Sequence, residues 1–375
     1  MGNIIDYIEQ YGGYSFSERP FSDEDSLVFA QFSYLKMGNI VPAFWGEENW
    51  VTLGEMNRAE GKEEMFADLF FPEENRILFE KMRKSLRFQT VRVCGYINRI
   101  DSRKSLQFSA VTYLLEDGLA YIAFRGTDEN LAGWKEDFRM AYMSPVESQL
   151  LSVEYLNRAG HAVGSRLLVG GHSKGGNLAI YASMYCEDSV RKRIQWIYNM
   201  DGPGFHPEIQ SSNDYGKIAD RIRKIIPHSS LIGMLLENTR AYEVVESSSF
   251  GMLQHNPFTW LIKEGKFVTV EDIYKSRKAA MEIVNRWIIS LTEEEIGIFV
   301  EELFAVLEAS EMETVQELPE KWRQILGHLV EAIRCAQPET KKEFGIMFRA
   351  FTSSAREVLM HRHTLGGQGH TRPEP

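Results

Sequence analysis

A serine framed by glycines is the feature of this sequence that most directly suggests chemistry. The stretch "GHSKG" (171–175) has the Gly-x-Ser-x-Gly spacing of a strand-to-helix turn that projects a nucleophilic hydroxyl, here that of Ser173. The apolar "LLV" (167–169) precedes the turn, and "NLAIYASMY" (177–185), a stretch of helix-forming composition, follows it. The pattern therefore predicts a strand, a tight turn and a helix, with Ser173 as the nucleophile. The alternative is a serine that only caps an ordinary helix.

A serine hydroxyl is a poor nucleophile unless a base takes its proton. In hydrolases with this turn, the acid and then the histidine follow the serine in the chain. His255 is the preferred base, because it follows the last predicted strand and the apolar residues of the adjoining "NPFTW" would limit access of water. His228 is the second choice, and His206 and His328 also follow the serine. A histidine that caps a helix or packs in the core is the alternative role for His255.

The base needs a third group, usually a carboxylate, to orient it. Asp201 ends the predicted strand "IYNM", and the following Gly-Pro-Gly indicates a sharp exit from that strand. A carboxylate in this place points toward the edge of the sheet where the carboxyl ends of the strands meet. Asp201 is therefore the predicted acid, with Glu237, Glu246 and Asp214 as alternatives. A turn aspartate that binds its own backbone is the other interpretation.

Ester chemistry also needs two donors that stabilise the developing oxyanion. One is predicted to be the backbone N–H of Lys174, which lies at a helix N-terminus, where the helix dipole favours an anion. Thr127, in "AFRGTDENLAGWKEDF" (123–138), is the second, because it offers both an N–H and a hydroxyl. The Lys174 side chain is expected to pair with Asp128 or Glu136. The alternative is that it reaches an anionic group of the substrate.

Two of these stretches resemble a known family. "IAFRGTDENLAGWKEDF" and "GGHSKGGNLA" are similar to the class 3, fungal-type lipases, whose pattern is F-R-G-[ST], then W-x-x-D, then G-H-S-x-G-G. The opening "NIIDYIEQYGGYSF", together with "QFSAVTYLLEDG", "NMDGPGF" and "GMLQHNPFTW", resembles a bacterial lipase-like family, the Mbeg-like proteins, known as a domain of unknown function. The resemblance extends over roughly residues 1–310 and implies an α/β-hydrolase fold.

The lipase resemblance implies the same nucleophile, base and oxyanion donors as the reasoning above. It also implies that Arg125 pairs with Asp137 and so braces the oxyanion loop. One position departs from the pattern. Class 3 lipases carry their acid in an Asp-x-Val-Pro segment, which corresponds here to "KIIP" (224–227) and has no carboxylate. Either the acid has moved to Asp201 or the triad is incomplete.

The elements around these motifs predict an α/β sheet, which agrees with the α/β-hydrolase fold with a mostly parallel central sheet that the resemblance implies. "VRVCGYIN" (91–98) reads as a strand, and Asp117-Gly118 joins two further strands in a hairpin. A helical stretch, "ESQLLSVEYLNRAG" (147–160), then precedes the strand that leads into the serine turn. "IQWIYNM", "RKIIP" and "AYEVVE" are further predicted strands. Strands that alternate with helices favour a mixed α/β sheet.

Composition changes along the chain predict four parts. A helical, aromatic-rich N-terminal segment (1–90) should pack on a hydrolase core (91–268). A helical C-terminal extension (269–360) and a disordered tail (361–375) should follow. Within the extension, Thr292 and Glu295 form a capping box that opens a helix with one apolar face.

The whole chain has the composition of a soluble globular protein, with 375 residues of which 43% are hydrophobic and 25% charged. Its net charge of −11 argues against nucleic acid or an anionic membrane as the main partner. Three scattered cysteines, no secretion signal and no membrane-spanning run together indicate the cytoplasm. We expect no metal and no organic cofactor, and a small-molecule or lipid ester as substrate; the partner of the C-terminal helices is not indicated.

These residues together favour a serine hydrolase of lipase or esterase type that cleaves carboxylic esters through an acyl-enzyme. A catalytically silent hydrolase fold, used for binding with the C-terminal helices as a docking surface, is the alternative from another class. A thioesterase or acyltransferase would use the same residues on a different bond.

Overall fold

The computed structural model describes residues 1–43, 49–59, 62–67, 69–128, 131–140, 142–164, 166–237, 241–290 and 292–309. The predicted tail, His328 and the part of the predicted C-terminal extension after residue 309 lie outside these ranges. The helices are α1 (Ile4–Tyr11), α2 (Asp23–Phe32), α3 (Pro72–Met82), α4 (Leu86–Gln89), α5 (Leu131–Met140), α6 (Glu147–Val163), α7 (Lys174–Tyr185), α8 (Asp188–Arg191), α9 (Pro207–Gln210), α10 (Asn213–Gly216), α11 (Lys275–Ser290) and α12 (Glu293–Ala309). The strands are β1 (Val51–Thr52), β2 (Arg92–Asp101), β3 (Leu106–Leu114), β4 (Leu119–Phe124), β5 (Arg166–His172), β6 (Ile194–Met200), β7 (Ile222–Pro227), β8 (Glu243–Val245), β9 (Ile262–Lys263), β10 (Lys266–Phe267) and β11 (Thr269–Val270).

Within the described ranges, one sheet joins nine strands in the order β1-β2-β3-β4-β5-β6-β7-β8-β11. The five strands from β4 to β8 run parallel, and β1–β4 are antiparallel neighbours on one side. β11 adds an antiparallel edge next to β8, while β9 and β10 form a separate hairpin. The parallel centre with its crossover helices confirms the predicted α/β-hydrolase class.

The predicted strands from β2 to β8 are all present, and the β3–β4 hairpin turns at Asp117-Gly118 as expected. Gly118 takes a left-handed backbone conformation with φ of +65° in this turn. The two-residue strands β1, β9, β10 and β11 were not predicted. A two-residue strand is too short to show any alternation of apolar and polar residues, so its sequence carries no periodic signal.

Helices cover both faces of the sheet. On one face α6 and α7 pack against β3–β6, where Leu156, Val169 and Leu178 lie in a shared core. On the other face the N-terminal helices pack against the same strands, and the Phe29 ring lies 4.6 Å from Tyr113 between centroids. Side chains along a strand point alternately to the two faces, so each central strand contributes to both cores.

α2 lies at the centre of the second face and is buried along almost its whole length. It begins at a capping box in which Ser22 and Asp25 satisfy each other's backbone N–H groups. A buried helix must find partners for its polar side chains. Ser26 meets the Tyr121 hydroxyl at 2.9 Å, and Gln31 donates to Asn75 at 2.9 Å.

A buried ion pair anchors α2. Arg87 donates to the Asp25 carboxylate through Nε at 2.8 Å and Nη2 at 2.5 Å, and both side chains are fully buried. The same guanidinium donates to the carbonyl oxygens of Ser15 and Arg19, at 3.1 and 2.8 Å. One cation therefore ties α2, α4 and the loop between α1 and α2 together.

α12, the last helix of the described chain, packs against α5. The predicted capping box is present, because the backbone N–H of Thr292 donates to Glu295 Oε2 at 2.8 Å and the backbone N–H of Glu295 donates to Thr292 Oγ1 at 3.2 Å. Phe304 packs edge-on against Phe138 of α5, with ring centroids 5.7 Å apart. Among the described residues, no helix combines the length and apolar character that a membrane crossing requires.

The substitution Arg87→Met leaves the Asp25 charge buried without its cation. We expect the free energy of unfolding to fall by about 3–5 kcal/mol. Equilibrium denaturation in guanidinium chloride measures this loss in the free energy of unfolding. The control is Lys81→Met, which removes the half-exposed ion pair with Glu9 and should change stability by about 0–1 kcal/mol. Equal losses in the two variants would contradict the anchoring role.

Candidate active site

Ser173 occupies a strained turn between β5 and α7. β5 ends at His172, α7 begins at Lys174, and Ser173 has φ of +58°. A Cβ added at Gly171 or Gly175 would lie 2.3 or 2.0 Å from the carbonyl oxygen of Phe124, at the end of β4. Only glycine fits at these two positions, because the turn presses directly on the neighbouring backbone. The predicted strand, tight turn and helix are therefore present, and strained backbone of this kind is concentrated at functional sites.

The loop after β4 packs against this turn. A Cβ at Gly126 would lie 3.0 Å from Ser173 Cβ and 2.6 Å from the carbonyl oxygen of His172. The Thr127 hydroxyl donates to Asp137 Oδ2 at 2.5 Å. The backbone N–H groups of Thr127 and Lys174 have no hydrogen-bond acceptor among the described residues.

The Lys174 side chain points into the protein and is 1% exposed. Its Nζ lies 3.0 Å from Glu136 Oε2 and 3.5 Å from Asp137 Oδ1. Of the two predicted partners, Glu136 is therefore correct and Asp128 is wrong. Burial raises the pKa of Asp137, while the Lys174 charge and the Thr127 hydrogen bond oppose that rise.

Arg125 does not brace the oxyanion loop in the predicted way. Its Nη2 lies 3.3 Å from Asp128 Oδ2 and donates to Asn98 at 3.2 Å. The predicted pairing with Asp137 is wrong, because Asp137 is engaged by Thr127 and Lys174 on the other side of the loop. Asp128, three residues after Arg125 in the same loop, is closer to the guanidinium than the Asp137 carboxylate on α5.

Asp201 and His255, the predicted acid and base, are in contact. His255 Nδ1 lies 2.7 Å from Asp201 Oδ2, and the Asp201 side chain is 1% exposed. The backbone N–H of Asp201 donates to the carbonyl oxygen of Ile225, which extends the pairing of β6 with β7 by one residue. The hydroxyl of Ser230 donates to the other carboxylate oxygen. The carboxylate is thus held from both sides.

His255 ends a short 3-10 helix, Gly251–His255, that is fastened by its neighbour Gln254. Gln254 Oε1 accepts the backbone N–H of Ser229 at 2.8 Å, and its Nε2 lies 2.8 Å from His228 Nε2. The indole N–H of Trp260 donates to the Gln254 carbonyl oxygen at 2.9 Å. His228, the second choice for the base, thus contacts the residue before His255.

The other predicted alternatives lie in different surroundings. Glu237 forms a buried ion pair with Lys224 at 2.5 Å, so the lysine that stands where class 3 lipases carry their acid is neutralised. Asp214 pairs with Lys217 at the surface. His206 immediately precedes α9, and the backbone N–H of Glu246 donates to Val268.

His172 links Ser173 to His255. Its Nε2 lies 2.8 Å from the carbonyl oxygen of His255, its Nδ1 lies 3.0 Å from the Tyr34 hydroxyl, and the two imidazole centroids are 4.4 Å apart. Burial, and then the neighbouring His255, hold the pKa of His172 well below its usual range. Within the described part of the chain the Ser173 hydroxyl forms no hydrogen bond.

Sequence reasoning missed four residues of this site, namely Tyr34, His172, Ser230 and Gln254. Tyr34 lies 138 positions before its partner His172, and Ser230 lies 29 positions after Asp201. No short-range spacing signals such contacts. Gln254 could have been found, since a polar residue beside the candidate base in an apolar stretch needs partners of its own. Among the described residues, no group of three or more His, Cys, Asp or Glu is arranged to hold a metal ion.

The substitution Lys174→Met leaves the buried Glu136 carboxylate and the partly buried Asp137 carboxylate without a cation. We expect a loss of about 3–5 kcal/mol in the free energy of unfolding. The deficit should shrink as the pH is lowered, because protonation removes the unpaired negative charge. Urea denaturation over a range of pH measures both effects. Lys217→Met, which breaks only the exposed pair with Asp214, is the control and should change stability by about 0–1 kcal/mol; a loss as small in Lys174→Met would refute the structural role of the pair.

Comparison with known proteins gives one family and several distant structural likenesses. Among solved structures, the chain is similar to M37 lipase, with a TM-score of 0.38 and 13% identity, over 72% of this chain and 80% of that one. It is also similar to the Rhizomucor miehei lipase in its propeptide complex, with a TM-score of 0.33 and 15% identity, over 48% of this chain and 60% of that one. No curated protein matches. A profile of the Mbeg1-like family matches residues 82–305, which is more than half of the chain. The protein belongs to the Mbeg1-like family.

Proposed function

We propose that this protein is a serine hydrolase of lipase or esterase type that cleaves carboxylic esters through an acyl-enzyme. The observation that carries the proposal is the 2.7 Å contact between His255 Nδ1 and the buried Asp201 carboxylate. His255 also contacts His172, which precedes Ser173 in the strained turn, and a carboxylate that orients a histidine next to a nucleophile is the triad arrangement. Ser173 is the nucleophile, His255 the base and Asp201 the acid.

The direction of the Asp201 hydrogen bond sets the chemistry of His255. An ionised carboxylate only accepts hydrogen bonds, so His255 Nδ1 carries the hydrogen and Nε2 keeps its lone pair for the serine proton. Asp201 then stabilises the imidazolium that forms when the proton is taken. The contacts of Asp201 with Ser230 and Ile225 keep the carboxylate in place during this step.

The oxyanion is bound by the backbone N–H groups of Thr127 and Lys174. The Thr127 hydroxyl donates to Asp137, so the amide is the donor that Thr127 contributes. The Lys174 amide lies in the first turn of α7, where the helix dipole also favours negative charge. One such donor is typically worth about 10²–10³ in kcat.

The reaction follows in two displacement steps. Ser173 Oγ attacks the ester carbonyl, His255 takes the hydroxyl proton, and the C–O bond breaks as that proton passes to the leaving alkoxide. Water then attacks the acyl-serine and gives a proton to His255, which passes that proton to Ser173 Oγ as the acyl–oxygen bond breaks and the acid is released. The chemistry uses no metal and no organic cofactor.

We propose a small-molecule or lipid ester as the substrate and the cytoplasm as the location. Cys94 and Cys186 are free thiols buried in the structure, as suits a reducing compartment. Burial raises the pKa of Cys186 to about 11, which makes this thiol unreactive at neutral pH.

A fluorophosphonate probe should label the purified protein at Ser173, because the probe reacts with serines that a neighbouring base has activated. We also expect turnover of nitrophenyl esters, with short and long acyl chains compared side by side. Ser173→Ala is the control and should abolish both signals. Absence of labelling and turnover above that control would favour the catalytically silent binding protein. Faster cleavage of thioesters than of matched esters would favour the thioesterase.

The substitution Asp201→Asn should lower kcat about 10⁴-fold, because an amide at this position favours the wrong tautomer of the base. Ester hydrolysis measures the loss, and thermal unfolding verifies that the variant is folded. Glu246→Gln is the matched control and should retain the activity of the original protein. Nearly full activity in Asp201→Asn would move the acid elsewhere, with Glu237 and Glu246 as the next candidates.

A further inference from the structure

We infer that Tyr34 and His172 form a positioning pair that holds His255 in register with Ser173. The inference rests on the proposed function, since it concerns the base of that site. Tyr34 lies outside the segment 82–305 that the family profile matches. The pair would therefore make the N-terminal segment a working part of the active site.

The hydrogen bonds of His172 have only one consistent direction. The carbonyl oxygen of His255 can only accept, so His172 Nε2 carries the hydrogen of their 2.8 Å contact. The buried ring is neutral, since its pKa lies well below the usual range. Nδ1 is then unprotonated and accepts the Tyr34 hydroxyl at 3.0 Å. Tyr34 thus selects the tautomer that allows His172 to donate to His255.

This arrangement also prevents His172 from competing with His255. His172 adjoins Ser173 in the chain, so a free ring nitrogen would offer the serine a second base. Both nitrogens are instead occupied, one by Tyr34 and one by His255. His172 is therefore unable to act as a second base for Ser173.

His255 is constrained at three points as a result. Asp201 binds Nδ1, His172 binds the backbone carbonyl, and the His172 ring lies against the imidazole with centroids 4.4 Å apart. A reacting group displaced by about 1 Å can lose about 10²-fold in rate. The contact with the backbone matters because the 29% exposed His255 side chain receives less support from packing than a fully buried one.

Tyr34 contacts the oxyanion side of the site as well. A Cβ at Gly126 would lie 2.1 Å from the Tyr34 hydroxyl, so the tyrosine packs directly on the loop that carries Thr127. Tyr34 itself is 8% exposed and follows the buried helix α2. One hydroxyl from the N-terminal segment therefore lies between the oxyanion loop and the residue that holds the base.

The substitution Tyr34→Phe removes this hydroxyl and keeps the ring. We expect kcat for a nitrophenyl ester and the rate of fluorophosphonate labelling to fall about tenfold, with KM unchanged, because the pair orients the base and does not touch substrate. Tyr7→Phe is the matched control. It removes another buried hydroxyl of the N-terminal segment, one bonded to Asp25 at 3.1 Å, and should leave kcat unchanged.

Two His172 variants test the pair without altering Tyr34. Glutamine can donate to the His255 carbonyl and accept from Tyr34, so His172→Gln should retain more activity than His172→Phe, which can do neither. A double-mutant cycle completes the test: in the His172→Phe background, Tyr34→Phe should have little further effect, because the tyrosine acts through His172. Thermal unfolding of every variant separates a positioning effect from loss of the fold.

The outcomes distinguish this inference from the proposed function. If the original protein neither labels nor hydrolyses esters, both are wrong. If it is active and Tyr34→Phe has the kcat of Tyr7→Phe, or raises KM with kcat unchanged, the positioning pair alone is wrong. Equal activities of His172→Gln and His172→Phe, or fully additive losses in the cycle, would overturn it in the same way.

Discussion

The close approach of the β5–α7 turn to the end of β4 is the constraint on which the rest of the site depends. Gly171 and Gly175 have no room for a side chain because the Phe124 carbonyl lies against them. That contact forces Ser173 into its left-handed conformation and sets the Lys174 amide beside the loop that carries Thr127. It also directs the lysine side chain inward, where a charge is tolerated only if it is paired. Glu136 and Asp137 of α5 provide the paired negative charge, so α5 must lie next to the turn.

Buried polar groups then connect the site to distant parts of the chain, since each must have a partner. α5 holds the Thr127 hydroxyl through Asp137 on its inner side and packs against Phe304 of α12 on its outer side. The proposed acid shows the same dependence. Lys224, in the middle of β7, is neutralised by Glu237, while Asp201 lies one residue beyond β6, the strand adjacent to the serine strand. A carboxylate at the end of that strand lies at the same sheet edge as the turn, which gives a physical reason for the departure from the class 3 lipase pattern.

Local sequence patterns were sufficient to predict much of this arrangement. The serine turn, the hairpin at Asp117-Gly118, the strands β2–β8 and the capping box at Thr292 each depend on residues close together in the chain, so their signals survive in a single sequence. The type of residue that a buried charge pairs with could also be predicted better than the individual partner. Lys174 needed a carboxylate, and two were named, but only the folded chain selects Glu136. Arg125 met a near neighbour rather than the predicted Asp137, and the contact of Tyr34 with His172 leaves no trace in the spacing of either residue.

The N-terminal segment cannot be regarded as a separate cover on a self-sufficient core. Its aromatic residues fill one face of the sheet, where Tyr113 and Tyr121 would otherwise meet water, and the Arg87–Asp25 pair fixes α2 against that face. Without the Tyr34 hydroxyl, the buried Nδ1 atom of His172 would lose its donor, and a buried acceptor left unpaired is costly. The same contacts that stabilise the sheet therefore also set the hydrogen bonds around His255. Stability and site geometry are coupled because both depend on the position of the C-terminal end of α2. That position determines where Tyr34 contacts the β5–α7 turn.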